Sequence, residues 1–360
     1  MLYARPTKQV IISMLTIVNG SNFLGEAVNM NNTAEQDQGV TESPIPLPSS
    51  FVYPVATCHI LIVAVAVIGN IMVCSAILIN KNLRKMPTNV FIFSLASSDL
   101  LTATLAMPFD IEGLFLGWVW NHGEAICRAW ITVYLITVPT SILTLLAVSL
   151  DRYKSLSDPL NRYRRLGFMT HKRAIVISLV IWLYSILFAL LPIMGWRTAR
   201  KFVEFNVCWF PFPPVYTALS STVNFILPLT IACGIHLKIY RLVCRQLKNF
   251  NTSQRAENND SEPSEGERKI FFRNVRAFKT TTMFVCAIFL CWVPYSSVSI
   301  VAVLCESCAA AIPSEARVVL VMIGYLNSAL NPFLFAFRSK RFKAVYPNVF
   351  GSPRRVARVM

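Results

Sequence analysis

The chain has 360 residues, of which 54% are apolar and 14% are charged. Soluble proteins carry about 25% charged residues, so this composition excludes an ordinary soluble domain. The formal net charge of +16 raises nucleic acid as a partner, but the basic residues are distributed as in a membrane protein, as described below.

Residues 1–52 are polar overall, and we predict that they form an extracellular N-terminal tail. Within this tail, Asn19-Gly-Ser21 and Asn31-Asn-Thr33 match the N-glycosylation pattern. They predict glycans on Asn19 and Asn31, which requires the tail to lie outside the cell.

Seven apolar blocks follow the tail. A helix that crosses a bilayer needs about 20 apolar residues. Unpaired backbone groups in lipid cost several kcal/mol each, so such blocks must be helical. We therefore predict an all-α membrane protein, a seven-transmembrane helix bundle over 53–337. The predicted spans are 53–79, 88–110, 125–150, 174–195, 215–240, 281–304 and 317–337.

The basic residues are concentrated on one side of these spans. With the N-terminus outside, the three inner loops and the C-terminal tail, with their helix ends, hold 27 of the 34 Lys and Arg residues. This asymmetry follows the positive-inside rule and predicts a multi-pass protein of the plasma membrane. The basic excess is expected to face anionic membrane lipid and a cytoplasmic protein rather than nucleic acid.

Two inner segments have compositions of their own. Residues 249–268 are polar and mixed in charge, which predicts disorder. The tail 338–360 begins with Arg338-Ser-Lys-Arg-Phe342, which predicts a short amphipathic helix after the seventh span. Phe342 and Val345 would face lipid.

Four cysteines fall at the outer ends of the spans, where the compartment is oxidising. They are Cys127, Cys208, Cys305 and Cys308. Four cysteines allow three pairings, and their positions alone do not choose among them.

Polar residues recur near the middle of the spans, where they are costly and therefore functional candidates. One carboxylate with several neutral oxygen donors suits a small hard cation or a water cluster. An alternative is a hydrogen-bond network that only holds the helices together. The residues are Asn70, Asp99, Ser141, Asn327, Ser328 and Asn331.

Short motifs, one or more per span, resemble those of the rhodopsin-like (class A) G-protein-coupled receptors over about 53–347. They are Gly69-Asn70, Leu95-Ala-Ser-Ser-Asp99, Cys127, Asp151-Arg152-Tyr153, Trp182, Pro228, Cys291-Trp292-Val-Pro294 and Asn327-Ser-Ala-Leu-Asn331-Pro332. The resemblance implies a receptor that binds an extracellular ligand in the outer half of the bundle and activates a heterotrimeric G protein inside.

The resemblance also implies roles for particular residues. It implies a Cys127–Cys208 disulfide, a ligand above Trp292, and contact between Arg152 of the Asp151-Arg152-Tyr153 switch and the G protein. It implies a pocket for an allosteric sodium ion, which is the only cofactor or metal that we expect. That pocket would comprise Asp99, Ser141, Asn327, Ser328 and Asn331.

Four positions depart from the family pattern. Phe335 and His236 replace tyrosines, and Ile288 replaces a phenylalanine in the mid-helix packing switch. Asn274 stands where many members place an acid that pairs with Arg152, which predicts a weak resting lock.

The ligand site is similar to that of amine receptors. Ser220, Ser221 and Asn224 fall about one turn apart on the fifth span, where those receptors bind ring hydroxyls, and Tyr325 matches their seventh-span tyrosine. Alternatively, the serines bond their own backbone.

The third-span aspartate that pairs with an ammonium in amine receptors is replaced by Tyr134. Burying an ammonium without a carboxylate costs several kcal/mol. The aromatic rings of Tyr134, Trp292, Tyr295 and Tyr325 would return about 0.5–2 kcal/mol by cation–π contact. Asp110 and Glu112 are the nearby acids that could substitute for the missing aspartate. We favour the interpretation that both are solvated carboxylates in a loop.

Three alternatives remain at this point. Arg197, Arg200 and Lys201 in the second outer loop could steer a peptide or an anion. A transporter or channel would more often show internal repeats, which are not found here. An enzyme would need a nucleophile–base or metal set, whereas the histidines are scattered, so we predict no enzymatic activity.

Overall fold

The computed structural model describes residues 47–157, 169–253, 265–305, 307–308 and 311–338. Seven helices in this part of the chain are long and apolar enough to cross a membrane, which confirms the all-α bundle. The first to seventh spans are Ser49–Ile79, Pro87–Leu105 with Met107–Leu116, Gly123–Ser157, His171–Leu190, Pro214–Ser221 with Leu227–Ser253, Glu265–Leu304 and Ser314–Arg338. A short helix, Lys81–Arg84, joins the first two spans.

The prediction of disorder over 249–268 is wrong at both ends of that segment. The fifth span stays helical to Ser253, and the sixth begins at Glu265. The reason is that Val243 on the fifth span and Phe271 and Val275 on the sixth are buried in one cluster beyond the predicted membrane limits. Residues 254–264, Asn19, Asn31 and the predicted amphipathic helix beyond Arg338 lie outside the described residues.

Proline shapes the second and fifth spans. The second span breaks at Ala106, and Pro108 lies in the first turn of the helix that follows, where its missing N–H costs nothing. Pro228 cannot donate to the carbonyl of Asn224, four residues earlier. The fifth span there widens into a π-helical turn over Thr222–Ile226, a form that often marks functional positions.

A hairpin lies over the predicted outer end of the third span. Strands β1 (Val203–Glu204) and β2 (Val207–Cys208) pair antiparallel. Phe205 and Asn206 join them with φ angles of 50° and 56°, as a tight right-twisting hairpin requires. The Cys127–Cys208 disulfide ties this hairpin to the third span and confirms the implied pairing. The remaining outer cysteines, Cys305 and Cys308, pair with each other.

The first and seventh spans approach closely at Gly69. A Cβ atom at this position would lie 2.6 Å from both Cβ and Cγ of Pro332. Because the proline ring is rigid and sits inside the seventh helix, neither side can yield without moving a helix. The absence of a side chain at Gly69 therefore sets the distance between these two spans.

We expect Gly69→Ala to lower the thermal stability of the purified protein, because overpacking a tight contact costs about 1–3 kcal/mol. The melting temperature in detergent measures this effect. Gly234→Ala is the matched control, since a Cβ atom there meets nothing within 4 Å. Equal melting temperatures for the two variants would contradict the close-approach argument.

Candidate functional site

Three polar groups follow the axis of the bundle. The first group contains the residues at which the ligand is predicted to bind and is called the outer pocket: Tyr134, Trp292, Tyr295, Tyr325 and Asp110. The central cluster comprises Asn70, Asp99, Ser328 and Asn331, together with the predicted members Ser141, which bonds the neighbour of Asp99, and Asn327, which precedes Ser328. The inner arginine site comprises Thr88, Asp151 and Arg152.

Asp99 is the centre of the central cluster and is 1% exposed. Ser328 Oγ donates to its Oδ1 at 2.8 Å, and Asn331 Nδ2 donates to its Oδ2 at 2.7 Å. Asn70 Nδ2 donates to the backbone oxygen of Ser328 at 3.0 Å. The cluster thus joins the first, second and seventh spans around one carboxylate.

Ser141 joins the same region from the third span. Its Oγ shares a 2.8 Å hydrogen bond with Ser98 Oγ, and Thr102 Oγ1 donates to Thr137 Oγ1 one turn further out, also at 2.8 Å. The sequence analysis assigned no role to Ser98, which lies inside the quoted motif, or to Thr102 and Thr137. The sequence feature that could have identified them is the spacing of hydroxyl residues about one turn apart on both the second and the third span.

The central cluster has the donor chemistry of a small hard cation. The side-chain oxygens of Asn70, Asn327 and Asn331 are buried and accept no hydrogen bond from any described residue. Carboxylate and amide oxygens are the ligands that such cations prefer. Among the described residues, no group of three or more His, Cys, Asp or Glu side chains comes together. One carboxylate with neutral oxygens fits a monovalent ion better than a divalent one.

Aromatic rings line the outer pocket. The ring of Trp292 meets those of Phe225, Tyr134 and Tyr295 at centroid distances of 5.9, 6.3 and 5.7 Å. A Cβ atom on Gly324 would lie 2.9 Å from the Trp292 ring, so that glycine allows the indole to lie against the seventh span. Trp292 is buried and forms the floor, whereas Tyr134 and Tyr295 are only partly buried.

For Asp110, the interpretation as a solvated loop carboxylate is wrong. It is 1% exposed, and Tyr325 Oη donates to its Oδ2 at 2.7 Å. It is therefore a buried pocket carboxylate and not a solvated loop residue. Glu112, in contrast, is half-exposed and meets the exposed His122 at 2.7 Å, which places it in a surface pair. The structure brings Asp110 to the predicted pocket and leaves Glu112 outside it.

The fifth-span residues are only partly available to a ligand. Asn224 is fully buried, accepts a 2.8 Å hydrogen bond from Tyr184 Oη of the fourth span, and donates to Ser220 Oγ at 3.4 Å. Ser221 is buried, and Ser220 is partly exposed. The structure therefore places Asn224 in the interface with the fourth span, while Ser220 remains the most accessible of the three.

Phe210 is a pocket residue that sequence reasoning missed. Its ring lies 6.4 Å from the ring of Tyr134 and 5.6 Å from that of Trp130. It follows Cys208 by two residues, and the disulfide fixes that point of the loop against the third span. Its position two residues after the cysteine was the available signal.

Arg152 is held at the inner end of the third span. It pairs with Asp151, and its Nη2 donates to Thr88 Oγ1 of the second span at 2.6 Å. Its side chain is 15% exposed. Tyr153 packs beside it against the cluster formed by the third, fifth and sixth spans. The side chains of Asn274 and Phe335 lie outside the described part, so those two departures stay predictions.

His236 links three spans at the level of Ser149, which lies one helical turn before Arg152 on the third span. Its Nε2 shares a 3.1 Å hydrogen bond with Ser149 Oγ of the third span, and its Nδ1 shares one of 2.9 Å with Thr282 Oγ1 of the sixth. Its ring stacks on Phe278 at 5.3 Å. His236 thus connects the third, fifth and sixth spans, and we call these two hydrogen bonds the His236 clasp.

The seven spans define a multi-pass membrane protein, and the class of that protein follows from its family. The family described as 7 transmembrane receptor (rhodopsin family) matches residues 69–335, and the chain belongs to this family of G-protein-coupled receptors. The family consists of receptors and not of enzymes.

Named relatives are receptors for amines. The chain is 32% identical over 327 residues to the octopamine receptor beta-2R of Chilo suppressalis, with 83% of this chain and 80% of that protein covered. It is 29% identical over 357 residues to the dopamine receptor 1 of Drosophila melanogaster, with 91% and 68% covered. It is also 29% identical over 321 residues to the D(1A) dopamine receptor of Xenopus laevis, with 80% and 70% covered.

We expect His236→Ala to raise ligand-independent G-protein activation. The side chain of Arg152 is 15% exposed, so we expect a partner that binds it to require separation of the third and sixth spans, which the clasp opposes. Each hydrogen bond contributes about 1 kcal/mol, roughly a fivefold change in an equilibrium. Second-messenger production at matched surface expression measures the effect.

Thr230→Ala on the same span is the control, because that exposed hydroxyl bonds only its own helix at Ile226. Basal signalling that is the same in His236→Ala and wild type would show that the clasp does not oppose activation.

Proposed function

We propose that this receptor lies in the plasma membrane with its N-terminus outside, binds a small extracellular amine in the outer pocket, and activates a heterotrimeric G protein at the inner arginine site. The names of its relatives support the amine. The basic inner segments support the orientation and the cytoplasmic partner. Apolar side chains exposed on the fourth span, including Leu179, Val180 and Leu183, support contact with membrane lipid.

The buried Asp110 carboxylate is the observation on which the amine proposal depends. Tyr134 stands where amine receptors carry their acid, so an ammonium in this pocket needs a carboxylate from another span. Asp110 is buried beside the aromatic walls and is oriented by Tyr325. A charge-assisted contact in a water-poor site is stronger than one in water. We propose that Asp110 is the counter-ion and takes the role of the third-span acid whose position Tyr134 occupies.

The ring end of the ligand would lie toward the fifth span. Ser220 is the accessible hydroxyl there, and Ser221 and Asn224 support the same wall. Trp292 and Tyr295 supply apolar surface and π faces for the body of an aromatic amine. Phe210 covers the pocket from the outer loop.

A peptide ligand is less well supported. The guanidinium of Arg197 lies 5.4 Å from the centroid of the Phe202 ring, which Arg128 also contacts at 5.1 Å. Arg197 is thereby engaged within the loop instead of being presented to an anion. Arg200 and Lys201 are exposed and form part of a solvated rim.

We propose that the central cluster takes a sodium ion. Asp99, Ser141, Asn327, Ser328 and Asn331 would hold it, and the amide oxygens without hydrogen-bond donors support this. The ion would supply the positive charge that a buried carboxylate otherwise lacks. The protein contributes the fixed positions of the seventh-span side chains relative to Asp99.

We expect sodium chloride to raise the melting temperature of the wild-type receptor and to lower its affinity for dopamine, and both effects to be absent in Asp99→Asn. A ligand stabilises a protein by about 2.7 kcal/mol at 100 times its dissociation constant, and the amide removes the only carboxylate of the cluster. Choline chloride at the same ionic strength is the control. An unchanged sodium effect in the variant would leave Asp99 with a structural role only.

We expect Asp110→Asn to weaken activation by dopamine or octopamine by about tenfold or more, because removing a charged hydrogen-bond partner costs about 1.5–3 kcal/mol. Glu112→Gln, two residues away in the surface pair, is the matched control and should respond as wild type. Concentration–response curves in cells with measured surface expression give the result.

Adding Tyr134→Asp to Asp110→Asn provides a rescue test. A carboxylate on the third span should restore the amine response, because Tyr134 packs on the same cluster as Tyr325 and an acid there would supply the missing counter-ion to the same pocket. The contrary result is an amine response that Asp110→Asn leaves unchanged and that the added Tyr134→Asp does not alter, both measured in protein that reaches the surface. That result would remove the amine from the proposed function.

A further inference from the structure

His59 of the first span is a buried polar residue with no assigned role. It is 2% exposed, and neither Nδ1 nor Nε2 has a hydrogen-bond partner among the described residues. A neutral imidazole has one donor and one acceptor, and burying both without partners destabilises the folded protein. Packing alone gives no reason for this side chain, since an apolar residue of similar size would fill the space without that cost.

The surroundings of His59 are apolar on two sides. Toward the outer surface, Val52 and Ala56 of its own span pack against Leu114 and Val318. About two turns deeper, Ala66 packs in a second cluster with Ala103 and Val321. His59 therefore lies between two apolar layers, where a polar group is retained only for a specific partner.

The third direction from His59 leads to the proposed counter-ion. The centroids of the His59 and Tyr325 rings are 5.7 Å apart, and Tyr325 donates to Asp110 at 2.7 Å. Polar groups from the first, second and seventh spans thus meet behind the pocket walls, Tyr134 and Tyr295, which pack on the same cluster. We call this group the amine subsite (His59, Asp110 and Tyr325).

The hydrogen-bonding roles within the amine subsite are complementary to a donor-rich cation. Asp110 offers carboxylate oxygens, and the neutral His59 ring offers one nitrogen lone pair. The single hydroxyl hydrogen of Tyr325 is directed at Asp110, so toward a ligand its oxygen acts as an acceptor. Three acceptors on three spans match the three N–H groups of a primary ammonium.

We propose that the amine subsite selects primary ammonium ligands over their N-methylated forms, with His59 as the specificity-determining residue. This inference rests on the proposed amine function and adds to it the degree of substitution that the receptor accepts. Each N-methyl group removes one N–H and adds volume, so a quaternary ammonium keeps the charge for Asp110 but has no donor for His59 or Tyr325.

The experiment compares dopamine and 2-phenylethylamine with their N-methyl, N,N-dimethyl and N,N,N-trimethyl derivatives on the full-length receptor in cells. The wild type should respond to primary amines about tenfold or more better than to the quaternary forms, as the loss of a hydrogen bond to a charged group predicts. Potencies are compared at equal surface expression.

His59→Phe is the test variant, because it keeps an aromatic ring next to Tyr325 and removes both nitrogens. The primary-to-quaternary ratio should fall about tenfold, through loss of potency of the primary amine alone. His59→Gln, which keeps a donor and an acceptor, should retain part of the ratio. The melting temperature of His59→Phe without ligand should equal or exceed that of wild type, since two unsatisfied polar atoms are removed.

Separate outcomes overturn the two proposals. If Asp110→Asn abolishes the amine responses but His59→Phe leaves the ratio unchanged, the selectivity proposal is wrong and the amine function stands. A lower melting temperature for His59→Phe with an unchanged ratio would likewise give His59 a purely structural role. If no amine of either series activates or binds the wild type, the proposed function and the subsite fail together.

Discussion

In a bilayer, a buried polar group without a partner inside the protein costs several kcal/mol, and three buried carboxylates of the described residues are the most demanding case. Asp110, Asp99 and Asp151 are 1%, 1% and 3% exposed, and they occur at the outer, central and inner levels of the bundle. Each is satisfied differently: by the hydroxyl of Tyr325, by Ser328 with Asn331, and by the guanidinium of Arg152. The first two pairings fix how the second and seventh spans face each other, and the hydrogen bond from Arg152 to Thr88 joins the third span to the second.

The seventh span supplies partners to two of the three acids. Tyr325 and Ser328 are three residues apart and so lie on the same face of one helix. A displacement of this helix that lengthens the Tyr325–Asp110 hydrogen bond also acts on the Ser328–Asp99 bond. The outer pocket and the central cluster are thus connected by one rigid element, which gives a physical route by which a ligand and a cation influence each other's binding. Gly69, packed against Pro332 of the same helix, limits where that helix can lie.

Departures from ordinary hydrogen bonding and helix geometry occur mainly along the polar axis of the bundle. The oxygens of Asn70, Asn327 and Asn331 and both nitrogens of His59 are buried without partners among the described residues. The fifth span widens at Asn224. Such departures lower stability and are retained where function needs them. The apolar layers around them, such as the cluster of Val73, Ile142 and Phe284, supply the stability that tolerates these sites.

The sequence by itself determined the seven spans, their helical form and the concentration of charge on one side, because lipid imposes these on any apolar block of sufficient length. The motifs placed Asp99, Arg152 and Trp292 and implied the Cys127–Cys208 disulfide, because each is a short local pattern. The ends of the fifth and sixth helices were not predictable, since their burial depends on contacts between two segments far apart in sequence.

The tertiary structure alone decided which polar residues meet. Asp110 and Glu112 are two residues apart and chemically alike, but positions two apart on a helix point about 200° away from each other. One therefore faces Tyr325, 215 residues later, and the other faces His122 at the surface. The same holds for Thr88 beside Arg152 and for His236 between Ser149 and Thr282. A sequence pattern states how polar a residue is, whereas the neighbouring span that faces it decides whether it is buried and what it binds.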